Sequence, residues 1–253
     1  MSSSIPAIIL LNKDKDKKVY DFLAENIKSA WKSHFWLLVP LIRKIKPQNI
    51  VELGTDRGFS LLTFLTATNG EYGKIYGIDS YGSVIKNDPG FKNGLKRYNK
   101  LLDFKKKFIK KFNIKNDSTE IIVNLFSRAR TMFDDINIDI LHIDGRHEYE
   151  CVKEDYELYK DKVDLDKGII VFHDVLRKKN NFGVYKLFNS IQDKKFWMYQ
   201  HSGLGIVTNN ESFIRYLKDI AKYIRNPMYK NRNINGKEIN ILNEGNVPID
   251  LLY

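Results

Sequence analysis

The hydrophobic positions of this 253-residue chain follow two patterns that alternate along its length. Apolar runs of five or six residues alternate with longer stretches in which apolar residues recur every three or four positions. The runs are typical of buried strands, and the longer stretches are typical of helices that cover a sheet. Strands are predicted at 49–53, 74–78, 120–125, 138–143 and 168–172, and helices at 20–45, 60–68, 95–112, 127–133, 147–162 and 182–191.

The alternation of strand and helix predicts an α/β fold with helices on both faces of a parallel sheet. Two further runs, 196–201 and 204–208, flank Ser202-Gly203 and indicate a terminal hairpin that includes one antiparallel strand. We therefore expect a doubly wound, Rossmann-like, seven-stranded and mostly parallel sheet over residues 46–210. Residues 1–45 are then a leader and helical cap, and residues 211–253 are a last helix and a polar tail.

Two of the predicted strands end abruptly in polar residues. The fourth strand leads into Asp144 and His147, and the fifth leads into His173-Asp174. Ligands of such sheets bind beyond the carboxyl ends of the strands, so these four side chains are expected within reach of one ion or one substrate. Any one of them alone could instead be a turn residue, a helix cap or a buried core histidine.

The first strand runs into a glycine turn that indicates a bound ligand. Glu52 lies near the strand end, and Gly54 and Gly58 frame the turn before the next helix. Glycine lets the backbone approach a ligand closely, but this spacing is not the Gly-x-Gly-x-x-Gly of dinucleotide enzymes, which disfavours NAD and FAD. Asp79 ends the second strand, where an acid commonly holds the ribose hydroxyls of a nucleotide-type cofactor.

Charge and composition limit the classes of binding partner and the cellular compartment that we expect for this chain. The net charge of +11 favours nucleic acid, an anionic membrane surface or a phosphate-bearing substrate, but the lysine runs read as solvated helix faces, so nucleic acid is not favoured. Cys151 is the single cysteine, which excludes an internal disulfide and a cysteine zinc cluster and fits a cytoplasmic, reducing compartment. A secretory signal is not expected from the first residues, and no apolar run of about 18 residues occurs, so no membrane span is expected.

Six stretches together carry a family resemblance: 51–60, 77–81, 138–149, 168–175, 182–185 and 202–205. They resemble the class I S-adenosylmethionine-dependent methyltransferases. More narrowly, they resemble the branch that contains macrocin-type sugar O-methyltransferases and cephalosporin-hydroxylase-like proteins. The last two stretches, Phe182-Gly183-Val184-Tyr185 and Ser202-Gly203-Leu204-Gly205, are particular to this branch. The resemblance extends over about residues 30–208, and the tail lies outside it.

The resemblance implies a binding site for S-adenosylmethionine within residues 46–210. It implies that Glu52, Gly54 and Gly58 shape the pocket for the methionine part of the cofactor and that Thr55, after the first glycine, is placed to contact the cofactor. It also implies that Asp79 holds the ribose hydroxyls and that Ser80, Tyr81 and Ser127 lie beside the adenine.

The resemblance also implies a divalent-cation site. Asp144 occupies the position of a first metal ligand in the metal-dependent members, and His173 and Asp174 occupy the positions of the next two. Those members usually have Asp or Glu where this chain has His173, so the identity of the ion stays open. Carboxylates with one imidazole suit Mg²⁺ or Mn²⁺, and they also suit Fe²⁺.

A cation beside a sugar hydroxyl lowers the cost of removing its proton and orients the oxygen, and a nearby imidazole can accept the proton. Asp144, His147 and His173 are therefore the candidate catalytic residues of a metal-assisted O-methyltransferase acting on a sugar or glycan. A phosphate- or lipid-linked acceptor and a peripheral membrane contact would use the positive charge. The leader and the tail are candidates to mediate a homodimer.

Two alternatives differ in class. A metal-dependent, hydroxylase-like oxidoreductase would use the histidines and carboxylates to bind Fe²⁺. A basic RNA-binding protein on a methyltransferase fold would use the net charge of +11. The chain lacks an Asn/Asp-Pro-Pro-aromatic motif for flipped bases and a clear stacking platform among its lysines, which disfavours the RNA-binding alternative.

Overall fold

A computed structural model describes residues 10–82, 91–178, 181–223, 233–234, 237–238 and 242–247. Ten strands are assigned in these ranges. They are β1 Asn49–Leu53, β2 Lys74–Asp79, β3 Thr119–Val123, β4 Ile140–Ile143, β5 Ile169–His173, β6 Lys195–Met198, β7 Leu204–Val207, β8 Asn233–Ile234, β9 Lys237–Glu238 and β10 Leu242–Glu244.

The main sheet has the order β10-β6-β7-β5-β4-β1-β2-β3. β7 runs antiparallel to both of its neighbours, and β1 to β5 pair in parallel where they are adjacent. The doubly wound, seven-stranded sheet with a terminal antiparallel hairpin is thus confirmed. β10, from the polar tail, adds an eighth strand antiparallel to β6, while β8 and β9 form a separate pair.

Helices cover both faces of the sheet. They are α1 Lys13–Asn26, α2 Phe35–Ile45, α3 Phe59–Thr68, α4 Phe91–Phe112, α5 Phe126–Ala129, α6 Tyr149–Tyr159, α7 Val184–Ser190 and α8 Glu211–Tyr223. One apolar core joins the sheet to α1, α2, α3 and α8, and a second core on the other face joins it to α5, α6 and α7. Within the described ranges, no helix combines the length and apolar character needed to cross a membrane.

The prediction of one continuous helix at 20–45 is wrong. The chain forms two helices there, α1 and α2, with a short 3₁₀ helix, Ala30–His34, between them. Ile27 is extended after α1, and the Ser29 side chain accepts a hydrogen bond from the Trp31 backbone N–H, which starts the new turn. Pro40 lies inside α2 without ending it. The break directs Trp31 toward the sheet.

The carboxyl ends of β1, β2 and β4 are joined directly to one another. The backbone N–H of Gly54 donates to the carbonyl of Ile78, and the N–H of Asp144 donates to the carbonyl of Leu53, at 2.9 and 2.8 Å. These bonds extend the parallel pairing of the strands just past their ends. The cofactor-binding residues predicted after β1 and β2 and the metal ligand predicted after β4 therefore start from adjacent strand ends.

Candidate active site

A cavity of about 1040 Å³ opens at these strand ends. All of the site residues predicted from the sequence line it, except Glu52 and Tyr81. The lining residues among them are Gly54, Thr55, Gly58, Asp79, Ser80, Ser127, Asp144, His147, His173 and Asp174. One cavity thus brings together the predicted cofactor residues and the predicted metal and catalytic residues, and its volume suits two adjoining ligands.

Gly54 lies where the predicted cofactor-binding residues meet the backbone of Asp144, the first predicted metal ligand. Its φ of +101° lies in the region that favours glycine, and a Cβ there would stand 2.1 Å from the carbonyl oxygen of Asp144. The chain after β1 therefore packs directly on the backbone that carries Asp144. This close approach is the structural reason for the first glycine of the turn.

Asp79 is held in place by the loops around it. Its two carboxylate oxygens accept backbone N–H bonds from Asp56 and Tyr81, at 2.9 and 2.8 Å, while burial raises its pKa. Tyr81 is buried behind the loop, and its hydroxyl donates to the carbonyl of Asp56. Tyr81 thus braces the Asp79 loop, whereas Ser80 lines the cavity.

Asp144, His173 and Asp174, the predicted metal ligands, form a cluster of ionisable side chains on one side of the cavity. Nδ1 of His173 lies 3.1 Å from Oδ1 of Asp144 and 3.3 Å from Oδ2 of Asp174. Neither contact has hydrogen-bond geometry, and across the described residues both Nδ1 of His173 and Oδ1 of Asp174 lack a hydrogen-bond partner. One candidate ligand atom from each residue lies within 4.8 Å of the other two. Buried nitrogen and oxygen atoms without hydrogen-bond partners are suited to binding a cation as its ligands.

The electrostatics of the cluster favour a positive charge at its centre. Burial alone lowers the pKa of His173, but the carboxylates of Asp144 and Asp174 outweigh it and raise that pKa to about 10. Burial likewise raises the pKa of Asp174, but the imidazoles of His147 and His173 beside it outweigh burial and hold the pKa well below its usual range. A proton on His173 or a metal cation would supply the favoured charge.

His147 is positioned beside this cluster by the segment that precedes α7. Its Nε2 lies 2.9 Å from Oδ2 of Asp174 and 3.9 Å from Oδ1 of Asp144. Its ring stacks on Phe182 at 4.4 Å, and its carbonyl accepts the N–H of Gly183. Phe182-Gly183, noted in the sequence as a motif, thus orients the predicted base.

The sequence interpretation missed contributions from three other residues. Ser202 Oγ lies 3.3 Å from Nε2 of His173, which turns Nδ1 toward the carboxylates. His201, given no role from the sequence, lines the cavity. His142 contacts Glu52 and Trp31 in the core. The role of Ser202 could have been found from the sequence, because the Ser202-Gly203 turn lies between the two strands of the predicted hairpin.

Trp31 and His34, both on the short 3₁₀ helix, differ in their relation to the cavity. Trp31 does line it. His34 does not: it is fully buried, its ring lies edge-on to His173 at 5.2 Å, and burial lowers its pKa well below the usual value. The 3₁₀ geometry of Ala30–His34 turns His34 inward, which the helix predicted at 20–45 did not anticipate.

Asp155 on α6 supports a prediction about stability. Burial raises the pKa of this cavity-lining carboxyl to about 7, despite the charge of Arg146, and its Oδ2 has no hydrogen-bond partner in the described part of the chain. An acid with a raised folded pKa destabilises the fold increasingly from its unfolded value of 3.8 upward, and the cost is complete above about 7. Asp155→Asn should therefore raise the melting temperature more at pH 8 than at pH 5.

Thermal unfolding at the two pH values measures this effect, with Glu154→Gln as the matched control. Glu154 is the exposed neighbour in the same helix and pairs with Arg146 at 3.1 Å. Equal changes in melting temperature at both pH values for Asp155→Asn would contradict the prediction.

Comparison with known proteins gives the family context. Residues 51–175 match the family model described as a methyltransferase domain. The uncharacterized protein y4gI of Sinorhizobium fredii is 27% identical over 199 residues, which cover 77% of this chain and 21% of that protein. The chain thus spans about a fifth of the length of this curated relative.

Solved structures share the fold at low sequence identity. A putative caffeoyl-CoA O-methyltransferase from Staphylococcus aureus matches with a TM-score of 0.51 and 16% identity, over 76% of this chain and 90% of that one. An O-methyltransferase from Bacillus cereus in complex with SAH matches with a TM-score of 0.51 and 14% identity, over 79% and 93%. Residues 51–175 are thus similar to a methyltransferase domain, and the sheet around them has the Rossmann-like fold that these O-methyltransferase structures share.

Proposed function

We propose that this chain is a divalent-metal-assisted O-methyltransferase that methylates a hydroxyl of a sugar or glycan. The observation that carries the proposal is the cluster of Asp144, His173 and Asp174, with His147 beside it, in the cavity that also holds Gly54 and Asp79. A methyl donor and a hydroxyl acceptor held in one cavity can meet in line, which removes much of the entropic cost of the reaction.

The donor wall fits S-adenosylmethionine, which supplies an electrophilic methyl group on sulfur when bound. Gly54 and Gly58 let the turn pack closely on Asp144 and Leu101, which shapes the wall along which the methionine part would pass. The carboxylate of Asp79 already accepts two backbone bonds and has further acceptor capacity for ribose hydroxyls. Ser127 and Ser80 line the part of the cavity proposed for the adenine.

The acceptor wall fits a divalent cation, because Asp144, His173 and Asp174 offer two carboxylates and one imidazole with unpartnered atoms. Mg²⁺ or Mn²⁺ would supply Lewis acidity that makes a nearby hydroxyl easier to deprotonate. Nε2 of His147 faces Asp174, whose carboxylate stabilises the imidazolium, so Nδ1 of His147 would accept the hydroxyl proton. The acceptor oxygen forms the new C–O bond while the C–S bond of the donor breaks and sulfur keeps its electron pair.

The rim of the cavity supports an acceptor that carries phosphate. Cationic side chains line it, and Arg177 lies 3.8 Å from Asp174 and over the ring of Phe182. The lining cations are Lys28, Arg57, Arg97, Arg146 and Arg177. A phosphate- or lipid-linked sugar would use them. A homodimer, a peripheral membrane contact and a cytoplasmic location stay predictions.

The test is an acceptor panel incubated with S-adenosylmethionine, with S-adenosylhomocysteine formation measured by mass spectrometry. Sugar phosphates, free sugars and catechols are compared with and without a chelator, followed by added Mg²⁺ or Mn²⁺. We expect turnover with a sugar acceptor that the chelator abolishes and the metal restores. Full turnover in chelator contradicts the metal role, and turnover of catechols alone contradicts the sugar class. Oxygen uptake with substrate loss and no methyl transfer would instead support the hydroxylase-like alternative.

His147→Asn tests the assignment of the base. We expect kcat to fall by about 10²- to 10⁴-fold, as is typical when a positioned proton acceptor is removed, with little change in S-adenosylhomocysteine affinity. His201→Asn is the matched control, because His201 also lines the cavity but forms no ion pair with Asp174 among the described contacts. Equal losses of kcat in the two variants would argue against His147 as the base.

A further inference from the structure

Most of the positive charge of this chain is concentrated on one helix. The sequence of α4, residues 91–112, contains nine Lys or Arg and one acid, Asp103, so the helix alone has a net charge of +8. The whole chain has a net charge of +11, so the rest of it contributes only +3. Among the side chains of α4, the cavity uses only Arg97, which leaves most of this charge without a role in the proposed site.

The apolar side chains of α4 face the core. Phe108 is fully buried, and Phe104, Ile109 and Phe112 pack against the core that joins the sheet to α1, α2, α3 and α8. Phe104 also stacks on Phe22 of α1 at 5.3 Å. A helix on the surface of a sheet buries one face, so these contacts fix the rotation of α4 about its axis and determine which residues point to solvent.

The opposite face of α4 carries a stripe of exposed lysines. Lys96, Lys100, Lys107 and Lys110 are all exposed. At about 100° per residue, the first three lie within about 40° of one another around the helix axis, and Lys110 lies beside them. At about 1.5 Å per residue, the four positions extend over about 21 Å along the helix. We call these four residues the lysine stripe.

Acidic side chains of the described residues do not neutralise the lysine stripe. Within this part of the chain, α4 forms ion pairs only through Arg97, with Asp56, and through Lys105, with Asp117. Asp103 lies on the same face of the helix, but it can offset only one of the four charges. The stripe therefore presents a net positive charge to solvent along most of the helix.

We propose that the lysine stripe is a docking surface for an anionic lipid bilayer. A plane of anionic headgroups is a partner that lysines on one face of a straight helix can approach together. Lysine is a strongly hydrated point charge and lacks the planar fork with which arginine binds one phosphate in a fixed geometry, so the stripe suits a diffuse anionic surface. Single-stranded nucleic acid fits less well, because no described aromatic side chain of α4 is exposed for a base to stack on.

The lysine stripe begins at the rim of the cavity. Arg97 lines the cavity, and Lys96, the first lysine of the stripe, precedes it directly in the chain. A bilayer bound along α4 would therefore bring lipid-linked acceptors to the end of the helix that is nearest to the site. This link to the acceptor rests on the proposed function, whereas binding of the bilayer does not.

Sedimentation of the full chain with vesicles tests the docking surface. We expect binding to vesicles of phosphatidylcholine with phosphatidylserine, no binding to phosphatidylcholine alone, and release as salt shortens the range of the attraction. Each lysine near an anionic bilayer raises the affinity roughly fivefold, so the triple variant Lys100→Gln, Lys107→Gln, Lys110→Gln should bind about 100-fold more weakly. Its affinity for S-adenosylhomocysteine should not change, because none of the three residues lines the cavity.

The matched control is a triple variant that removes the same net charge from other elements: Lys160→Gln, Lys167→Gln, Lys194→Gln. These lysines form ion pairs with Glu157, Asp164 and Glu211. We expect the control to bind vesicles nearly as the wild type does, because the charges that it loses are already paired.

Three results would overturn the docking surface. They are equal losses of vesicle binding in the two triple variants, wild-type protein that does not distinguish the two kinds of vesicle, and wild-type protein that binds single-stranded RNA more tightly than anionic vesicles. Wild-type protein that binds anionic vesicles through the stripe but methylates no sugar acceptor would support the docking surface and contradict the proposed function.

Discussion

Replacing Asp144 or Asp174 with alanine should abolish methyl transfer while leaving the cofactor affinity largely intact. Each change removes a carboxylate from the cluster around Nδ1 of His173, where the oxygens lie 3.1 and 3.3 Å away. Loss of a group that merely supports a metal ligand typically costs 10- to 100-fold, so loss of a ligand should lower kcat by more than about 100-fold. The predicted cofactor residues lie on β1 and β2, in the turns that follow these strands and on α5, so neither change removes a cofactor side chain.

The same variants should lose the metal. Calorimetric titration with Mn²⁺ is expected to show one site in the wild-type chain and much weaker binding in each variant. Glu154→Ala is the matched control, because Glu154 is also an acid that lines the cavity but pairs with Arg146 outside the cluster. Full activity in both Asp144→Ala and Asp174→Ala would show that the metal mechanism is wrong.

Gly54→Ala should destabilise the fold strongly by adding a single methyl group at the site. The new Cβ would stand 2.1 Å from the carbonyl oxygen of Asp144, a backbone atom that cannot rotate away, and the φ of +101° is itself unfavourable for alanine. Overpacking and backbone strain together should lower the free energy of unfolding by at least about 2 kcal/mol. Binding of S-adenosylhomocysteine should fall as well, because β1 and β4 would be pushed apart at the cavity.

Gly245→Ala separates the two causes. Gly245 has a similar φ of +83°, but a Cβ there would meet nothing within 4 Å. Its variant should therefore show only the backbone cost, about 1 to 2 kcal/mol, and should keep cofactor binding. Urea unfolding of both variants gives the comparison. Equal destabilisation would mean that the close approach of Gly54 to Asp144 is unimportant.

Much of the fold could be predicted because the five parallel strands are short, mainly apolar runs. Such runs identify buried strands without an alignment, and the alternation with helices fixes their direction. β10 could not be predicted in this way. Its three residues, Leu242–Glu244, carry no apolar run, and their pairing with Trp197 and its neighbours depends on the exposed edge of β6.

The site was predictable where function coincides with strand ends. Asp144 and His173-Asp174 stand out because charged residues follow apolar strands directly, and Gly54 stands out as part of a turn. The contacts among Trp31, His142 and Glu52 were not predictable. His142 lies inside an apolar strand and reads as core, and Trp31 reaches it only because the 3₁₀ turn after α1 redirects the chain across 111 residues of sequence separation.

The central claim is that one cavity binds the methyl donor beside the metal and acceptor residues. Calorimetric titration of the full chain with S-adenosylmethionine tests it most directly. We predict one molecule bound per chain, with affinity sharply reduced in Asp79→Ala, which removes the carboxylate at the end of β2. No binding at millimolar cofactor would contradict the account.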